Sequence, residues 1–262
     1  NRDATDVNSL FDTVRGVTNY HSSGQNTSQV TDADTLTSFD SNGFALGADV
    51  KVNTNTEKYV AWCWKESATA GFDMVGYTGN DSTRTIAHSL SAVPNVIHTH
   101  NYTNARNWLS GHTSLGFEEN VYQDADNASY ADSNVWNDTA PTSSVFTVGT
   151  TVGNNENTHS IIAYLWTAKQ GFSKFGAYEG NGNADGTFVY TGFRPAWVMT
   201  KSIDSTSPWQ VFDSKREGYN VDNDALLADD TAAEVTTDYI DLLSNGFKLR
   251  IATDPNVAET YI

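Results

Sequence analysis

An internal repeat constrains the fold of this chain more than any other feature of its sequence. The stretch GFDMVGYTGN beginning at Gly71 returns as GFSKFGAYEGN at Gly171, about 100 residues later. Other landmarks keep nearly the same spacing: Pro94 with Pro195, and Trp108 with Trp209. Because several landmarks stay in step, the chain is predicted to contain related structural units in tandem.

A third copy of the unit can be recognised at the two ends of the chain. LFDTVRG at Leu10 matches VFDSKREG at Val211, and SNGFALG at Ser41 matches SNGFKLR at Ser244. EKYVAWCWK (57–65) likewise matches HSIIAYLWT (159–167). The predicted organisation is the rear part of a first copy (1–70), a complete second copy (71–170), and a third copy without its last strand (171–262).

This phase suggests a window on a longer polypeptide, with strand pairing to a neighbouring subunit as the alternative. In either case, Tyr261 and Ile262 are predicted to lack a strand partner within the chain.

The length and composition of the apolar stretches indicate an all-β protein. Its short apolar stretches are rich in β-branched and aromatic residues and are bounded by Gly, Asn, Asp and Pro, which is typical of strands and turns. The stretches are KYVAWCW, NVIHTH, SIIAYLW and AWVMTK. The most helix-like segment, 224–233, allows two or three turns at most. A copy of about 100 residues predicts an antiparallel β-sandwich of jelly-roll or lectin-like type with seven or eight short strands.

Glycines in two recurring motifs predict turns. Gly79 and Gly180 each precede an Asn, and this pair is expected where a turn needs positive φ. The SNGF motif, with Gly43 in the first copy and Gly246 in the third, predicts a two-residue Asn-Gly hairpin turn.

Composition excludes several classes of partner. The chain carries 15 basic and 32 acidic residues, giving a formal net charge of -17, and a surface this negative repels phosphate backbones. No apolar run is long enough to cross a bilayer. We therefore expect no nucleic-acid partner and no membrane insertion. The single cysteine, Cys63, leaves no intrachain disulfide and is predicted to be a buried thiol in an apolar strand.

The tryptophans admit two interpretations. An exposed indole can stack on a sugar ring, but Trp108 and Trp209 occupy the same phase of two copies, as scaffold residues should. The first copy carries Asn8 there, which argues against an obligatory function. Packing in the core or between copies is the favoured interpretation, and it applies equally to Trp64 and Trp166.

Metal sites were considered at histidines and acidic loops. His98 and His100 project from one face of a predicted strand and, with His88 or His112, could bind a transition metal. Met199 and Lys201 stand in their place in the third copy, which argues against that site. Acidic clusters suit calcium, and they are TDADT (31–35), QDADN (123–127) and NVDNDA (220–225), the last being the best candidate. Because Asp and Asn are also ordinary turn formers, no metal-binding residue is assigned and calcium stays an open alternative.

Nothing in the sequence indicates a catalytic site. It has no nucleophile elbow, Walker loop or dinucleotide fingerprint. A duplicated active site should leave paired acids in phase, and the firmest such acid, Asp12 with Asp213, has no clear equivalent in the second copy. We therefore expect that the chain is not an enzyme, and we assign no catalytic residue and no cofactor.

Several stretches resemble a known repeat domain without an assigned function. They are VGYTGN, TRTIAHSLSAVPNVI, WNDTAPTSSVFTVGT, GFSKFGAYEGNGNADGTFVYTGFRPAWVM, DSKREGYNV and LLSNGFKLR. The chain is similar, over nearly its whole length, to repeats in large virion proteins of tailed phages, particularly marine and cyanobacterial ones, which often carry concanavalin A or LamG lectin modules beside them. HTH at His98 and Asn8 depart from the usual pattern of these repeats.

This resemblance implies a structural role in a tail fibre, spike or other appendage. The expected location is the virion surface or the extracellular space, and the expected partners are other appendage subunits, including further copies of the chain. The resemblance supplies no binding residue, so the ligand-binding residues stay unknown. The alternative is a lectin-like module that recognises a host glycan on the cell surface, with or without calcium.

Overall fold

The computed structural model describes residues 1–216, 220 and 222–262, without the side chains of residues 222 and 223. Antiparallel strands build the molecule, and the helices of the described part are single turns of four residues. None of these turns has the length or apolar character of a membrane-spanning helix. The prediction of an all-β fold is therefore confirmed.

The first 70 residues form two small sheets. The strands and the helix are β1 (Ser9–Leu10), β2 (Asn19–Ser22), β3 (Val30–Thr31), β4 (Leu36–Asp40), β5 (Gly43–Leu46) and α1 (Val50–Asn53). One sheet has the order β1-β2-β3, and β4 pairs with β5 as a hairpin. The helix begins where the Asp49 side chain accepts a hydrogen bond from the Lys51 amide, which is an ordinary N-cap.

Residues 71–170 form a six-stranded sheet and a separate strand pair. The elements are β6 (Phe72–Thr78), β7 (Arg84–Ala87), β8 (Val96–Asn101), β9 (Leu109–His112), β10 (Gly116–Tyr122), β11 (Tyr130–Ala131), α2 (Ser133–Trp136), β12 (Val145–Val148), α3 (Val152–Asn155) and β13 (Ser160–Trp166). The large sheet has the order β11-β10-β9-β8-β13-β6, and β12 pairs with β7. Strand β13 lies between β6, the edge strand, and β8.

The remaining residues form a second six-stranded sheet and a two-stranded ladder. The strands are β14 (Tyr178–Glu179), β15 (Phe188–Tyr190), β16 (Trp197–Thr200), β17 (Gln210–Asp213), β18 (Asp222–Leu227), β19 (Val235–Leu243), β20 (Gly246–Leu249) and β21 (Thr260–Tyr261). The large sheet has the order β15-β20-β19-β18-β17-β16, and β14 pairs with β21.

Each large sheet covers its own apolar core. The larger core packs under β8, β9 and β13, with Ile97, Trp136 and Leu165 at most 1% exposed. The second packs under β17, β19 and β20, where Phe212 and Leu242 are fully buried. Burial of this kind supplies most of the free energy that holds such sheets together.

Three predictions of local structure were wrong. The stretch KYVAWCW lies within residues 57–66, which form no strand ladder. The helix-like segment begins instead in strand β18, because pairing with β17 and β19 overrides the weak helical pattern. Tyr261 does not lack a partner, since it pairs with Tyr178 and is fully buried, and Ile262 exchanges backbone hydrogen bonds with Lys201.

The glycine predictions also need correction. Gly79 and Gly180 do not have positive φ. A Cβ on Gly79 would lie 2.1 Å from the carbonyl oxygen of Glu156, and one on Gly180 would lie 1.9 Å from that of Val257. These positions need glycine because two backbones approach closely, a requirement that turn statistics do not reveal.

In the SNGF hairpins, Gly43 pairs with Asp40 and Gly246 pairs with Leu243. The two turn residues are therefore Ser-Asn, and the glycine is already in the following strand.

Candidate functional site

The predicted copies meet through tryptophan side chains. The indole Nε1 of Trp108, in the second copy, donates a 3.1 Å hydrogen bond to the carbonyl of Ser22 in the first. The indole Nε1 of Trp209, in the third copy, donates a 2.8 Å bond to the carbonyl of Tyr122 in the second. Trp108 is fully buried and Trp209 is 5% exposed, which confirms the packing interpretation for both.

Asn8 makes the corresponding contact from the first copy. Its Nδ2 donates a 2.8 Å hydrogen bond to the carbonyl of Leu227 and a second, of 3.1 Å, to that of Asp230. Both acceptors belong to the third copy. Asn8 stands where the other copies carry tryptophan, and its amide takes over the donor role. The first copy thus contacts the third as the third contacts the second.

A second set of backbone contacts has the same cyclic order. In each, an amide of one copy donates to a carbonyl of the next at equivalent positions: Gln29 to Tyr102 (2.9 Å), Ser129 to Ile203 (3.0 Å) and Glu234 to Arg2 (3.0 Å). Two kinds of contact, each present three times, therefore connect residues 1–70, 71–170 and 171–262 in a closed ring of contacts.

Two aspartates lie at these junctions and hold the tryptophan backbone. Asp124 Oδ1 accepts from the Trp108 amide at 3.0 Å, and Asp229 Oδ1 accepts from the Trp209 amide at 2.9 Å. Burial raises the pKa of both carboxyls to about 6, against the pull of these hydrogen bonds. The first copy has Gly24 at the equivalent place, where a Cβ would lie 2.8 Å from the backbone of Asp229.

The predicted histidine pair packs against the same tryptophans. The His100 ring stacks on Trp108 at 4.4 Å between centroids, and its Nε2 lies 3.1 Å from the Thr27 carbonyl oxygen. His98 contacts Trp209 edge-on and lies 2.5 Å from the Ser110 hydroxyl.

Burial lowers the pKa of His98 and His100 to about 3 and that of His112 to about 4, so these rings are neutral at pH 7. Within the described residues, no group of three or more His, Cys, Asp or Glu side chains is placed to share a metal ion.

Lys201 takes the place of His100 in the third copy. Its ammonium donates to the carbonyls of Asp126 at 3.2 Å and Ser202 at 2.5 Å, and the residue is fully buried. Burial lowers the pKa of Lys201 to about 8. His100 and Lys201 thus each place a side-chain nitrogen beside a carbonyl of the preceding copy. The His100 ring is neutral, whereas the Lys201 ammonium is charged.

The in-phase acids form buried ion pairs. Asp12 binds Arg15 at 2.5 Å and accepts a 2.6 Å hydrogen bond from the hydroxyl of Tyr164, in the second copy. Asp213 binds Arg216 at 2.8 Å and accepts a 3.0 Å bond from the indole of Trp62, in the first copy.

Burial alone would raise the pKa of Asp213, but hydrogen bonds from the Lys215 amide and the Arg216 guanidinium hold it below its usual value. Each carboxylate is paired with an arginine of its own copy and accepts a hydrogen bond from a side chain of another copy. These contacts hold the copies together.

The acidic loops use their oxygens within the chain. Asp32 Oδ1 accepts from the Asp34 amide at 2.9 Å, as in an ordinary Asx turn. In QDADN, Asp124 holds Trp108 as described above. The NVDNDA cluster lies partly outside the described residues, but its Asp224 forms a 2.9 Å salt bridge with Arg2 of the first copy.

One prediction in the segment 57–66 was wrong, since Cys63 is exposed rather than buried. Trp64 is 46% exposed and packs edge-on against Trp166 and Trp197, which agrees with packing between copies and not with a place in the core. Both exposures follow from the missing ladder, because the equivalent strand β13 is covered by a neighbour on each side.

The surface has shallow depressions at two junctions. One lies between the first and second copies and is lined by Gly24, Gln25, Asn26, Thr27, Asn107 and Asp124. The other lies between the second and third copies and is lined by Tyr122, Asn127, Ala128, Tyr130 and Thr206. The rings of Tyr122 and Tyr130 are 4.9 Å apart and half-buried.

These features define an all-β protein whose antiparallel sheets are joined in a ring by recurring side-chain contacts. The chain belongs to the family described as a domain of unknown function, DUF7483, whose model matches residues 1–262. Comparison with curated proteins and with solved structures found no significant match.

Proposed function

We propose that this chain is a structural module of a virion or surface appendage, built from three tandem β-sandwich copies divided near residues 70 and 170. The observation that carries the proposal is the junction contact made by Trp108, Trp209 and Asn8. The residues that would be most attractive as ligand contacts, the two indoles, are used to hold the copies together. A part with this role needs rigidity rather than a reactive cleft.

Charge and chemistry support the same role. The net charge of -17 keeps the surface solvated and discourages non-specific association. In the described part of the chain, the buried carboxylates Asp12, Asp213 and Glu234 are neutralised by arginines. Carboxylates paired in this way with buried arginines are poor acids or bases, and removing one partner of such a pair is destabilising.

The particle-surface location and the appendage subunits as partners rest on the resemblance to phage repeat domains. Antibodies raised against the purified chain test the location on particles and cells that encode it. Gold label along an appendage is the expected result. Label confined to the inside of the cell, with none on released particles, would contradict the location.

A second candidate function, glycan binding, is supported by the Tyr122–Tyr130 pair. Aromatic rings beside amide and hydroxyl groups, as with Asn127 and Thr206 here, are suited to a sugar ring. A glycan panel, with and without a calcium chelator, tests it. Saturable binding to one sugar class that Tyr130→Ala abolishes and Tyr190→Ala, an exposed control, leaves unchanged would establish a lectin. No binding by the folded chain would leave the structural role alone.

A further inference from the structure

The first copy has an open edge, which we define as β1, β5 and residues 57–66. In the second copy, the equivalent of 57–66 is β13, which pairs with β6 and β8 along its length. Residues 57–66 form no such ladder. They are nevertheless in the equivalent position, because the Arg2 amide donates to Lys58 at 2.8 Å just as Tyr102 donates to Ser160 at 3.0 Å.

Apolar side chains on this edge are exposed where their equivalents are buried. Phe44 is 38% exposed, whereas Phe146 is 1% and Phe247 is 6% exposed. The same contrast holds at Leu46, which is 38% exposed, against Val148 and Leu249, which are fully buried. In the segment 57–66, the exposed Cys63 corresponds to the fully buried Leu165. The side chains suited to a core are present, and the layer that covers the core is not.

Gly43 shows what kind of layer is missing. Its equivalent, Gly246, touches the neighbouring strand β15: a Cβ there would lie 2.1 Å from the carbonyl oxygen of Val189. At Gly43 no atom lies within 4 Å of the same point. In the second copy the equivalent residue, Val145, is likewise paired with a strand, β7, at Ala87. Gly43 faces empty space where both other copies have a neighbouring strand, which indicates a place for a β-strand.

A buried asparagine side chain, which we call the latch, also indicates that a strand-bearing segment is missing from this edge. Asn155 Oδ1 accepts from the Asn80 amide at 3.1 Å, and Asn256 Oδ1 accepts from the Asn181 amide at 3.2 Å. Each latch thereby fixes a Gly-Asn segment in place, and each asparagine is fully buried. Asn53 stands at the equivalent position, and its side chain is exposed. It keeps the bond from Nδ2 to the Gly47 carbonyl at 2.8 Å, which corresponds to the Asn155 bond to Gly149, but has no Gly-Asn segment to hold among the described residues.

We infer that the open edge is an acceptor for a polypeptide segment with the pattern of residues 71–101 and 171–201, which we call a front-half segment. The occupant is a front-half segment from outside residues 1–262, because the two within the chain are engaged in their own sheets. It would contribute the equivalents of β6, β7 and β8. This is strand addition that completes a sheet and a core together. The inference goes beyond the proposed function, because it requires only the equivalence of the copies and not a place on a particle.

Protection of Cys63 tests this inference. The chain is incubated with a synthetic peptide of residues 171–201, and the rate at which Cys63 reacts with an alkylating reagent is followed by mass spectrometry. In the occupied edge, Cys63 would be enclosed as Leu165 is, so we expect the rate to fall at least about tenfold at saturating peptide.

Two matched controls separate docking from non-specific association. A peptide with Gly180→Val carries a Cβ that in the third copy would lie 1.9 Å from the carbonyl oxygen of Val257, so it should not protect Cys63. On the protein side, Phe44→Asp should leave the fold of the chain unchanged, since this side chain is 38% exposed, and should abolish protection by the unmodified peptide, because the equivalent Phe146 and Phe247 are buried. Circular dichroism confirms the folded state of the variant.

The result that would overturn the inference is equal reactivity of Cys63 with and without the peptide in the folded chain. It would also be overturned if the chain alone formed dimers or trimers in which Cys63 is already protected, because a second copy would then cover the edge. Neither result bears on whether the chain binds glycans or lies on a particle, so failure here is distinguishable from failure of the proposed function.

Discussion

The indole of Trp209 donates its N–H to the carbonyl of Tyr122 at 2.8 Å, which ties the third copy to the second. Trp209 is 5% exposed and Tyr122 is half-buried, so the bond is partly removed from water. A hydrogen bond in such a place contributes modestly when made, but its loss is costly because the carbonyl is left without a partner.

Replacing either junction tryptophan by phenylalanine is therefore expected to destabilise the chain. For Trp108→Phe and for Trp209→Phe we expect a loss of about 1–3 kcal/mol, from the unpaired carbonyl and the smaller ring. Urea unfolding followed by circular dichroism measures it. Trp64→Phe is the control, because this indole is 46% exposed and should change the free energy by less than about 0.5 kcal/mol. Equal losses in all three variants would argue against a special role for the junction.

The buried latch asparagines provide a second prediction. Asn155→Ala and Asn256→Ala each leave several backbone groups without a hydrogen-bond partner. We therefore expect the free energy of unfolding in urea to fall by about 2–3 kcal/mol. Asn53→Ala is the matched control in the first copy and should lose less than about 1 kcal/mol, since its side chain is exposed. A loss at Asn53 as large as at the other two would mean that its latch is already engaged in the free chain.

Arg2 joins the first copy to the third and is the subject of a third prediction. Its guanidinium lies 2.9 Å from Asp224 and 2.6 Å from Glu234, whose side chains are 4% and 8% exposed. Arg2→Ala leaves these buried carboxylates with fewer cations, so we expect a loss of about 2–3 kcal/mol. Arg106→Ala, which removes a more exposed pair with Glu156, should lose less than about 1 kcal/mol. Unfolding in urea distinguishes the two, and equal losses would contradict the assignment.

A fourth prediction concerns pH. The folded-state pKa of Asp124 and of Asp229 is about 6, above the ordinary value of 3.8. Between these values the folded state binds more protons than the unfolded state, so the free energy of unfolding falls as pH rises from about 4 to about 6. Because both carboxyls are partly exposed, we expect only about 1 kcal/mol from each.

The matching variant is Asp124→Asn, whose amide oxygen can still accept from the Trp108 amide. Its unfolding free energy, measured at intervals from pH 4 to 7, should fall less steeply than that of the wild type. The opposite slope, or an unchanged one, would rule out Asp124 as a source of the pH dependence.

The sequence predicted the strand-rich fold and the packing of Trp108 and Trp209, because apolar alternation and in-phase landmarks are local signals. It did not predict the role of Asn8, since an amide can replace an indole as a donor only if the backbone brings it to the Leu227 carbonyl. Gly79 was assigned to a turn because close backbone approach is a property of two distant segments. Cys63 was wrongly predicted to be buried, because burial of a strand depends on its neighbours and residues 57–66 pair with no strand in the described part of the chain.

The closed ring has a further consequence for how its three sides can differ. In a symmetric homotrimer, every substitution at an interface appears three times. Here the copies are joined covalently, so one junction carries an amide at Asn8 and a glycine at Gly24, while the others carry indoles and aspartates. Each side of the ring can therefore evolve separately, and a threefold framework can present a different surface to each of three neighbours.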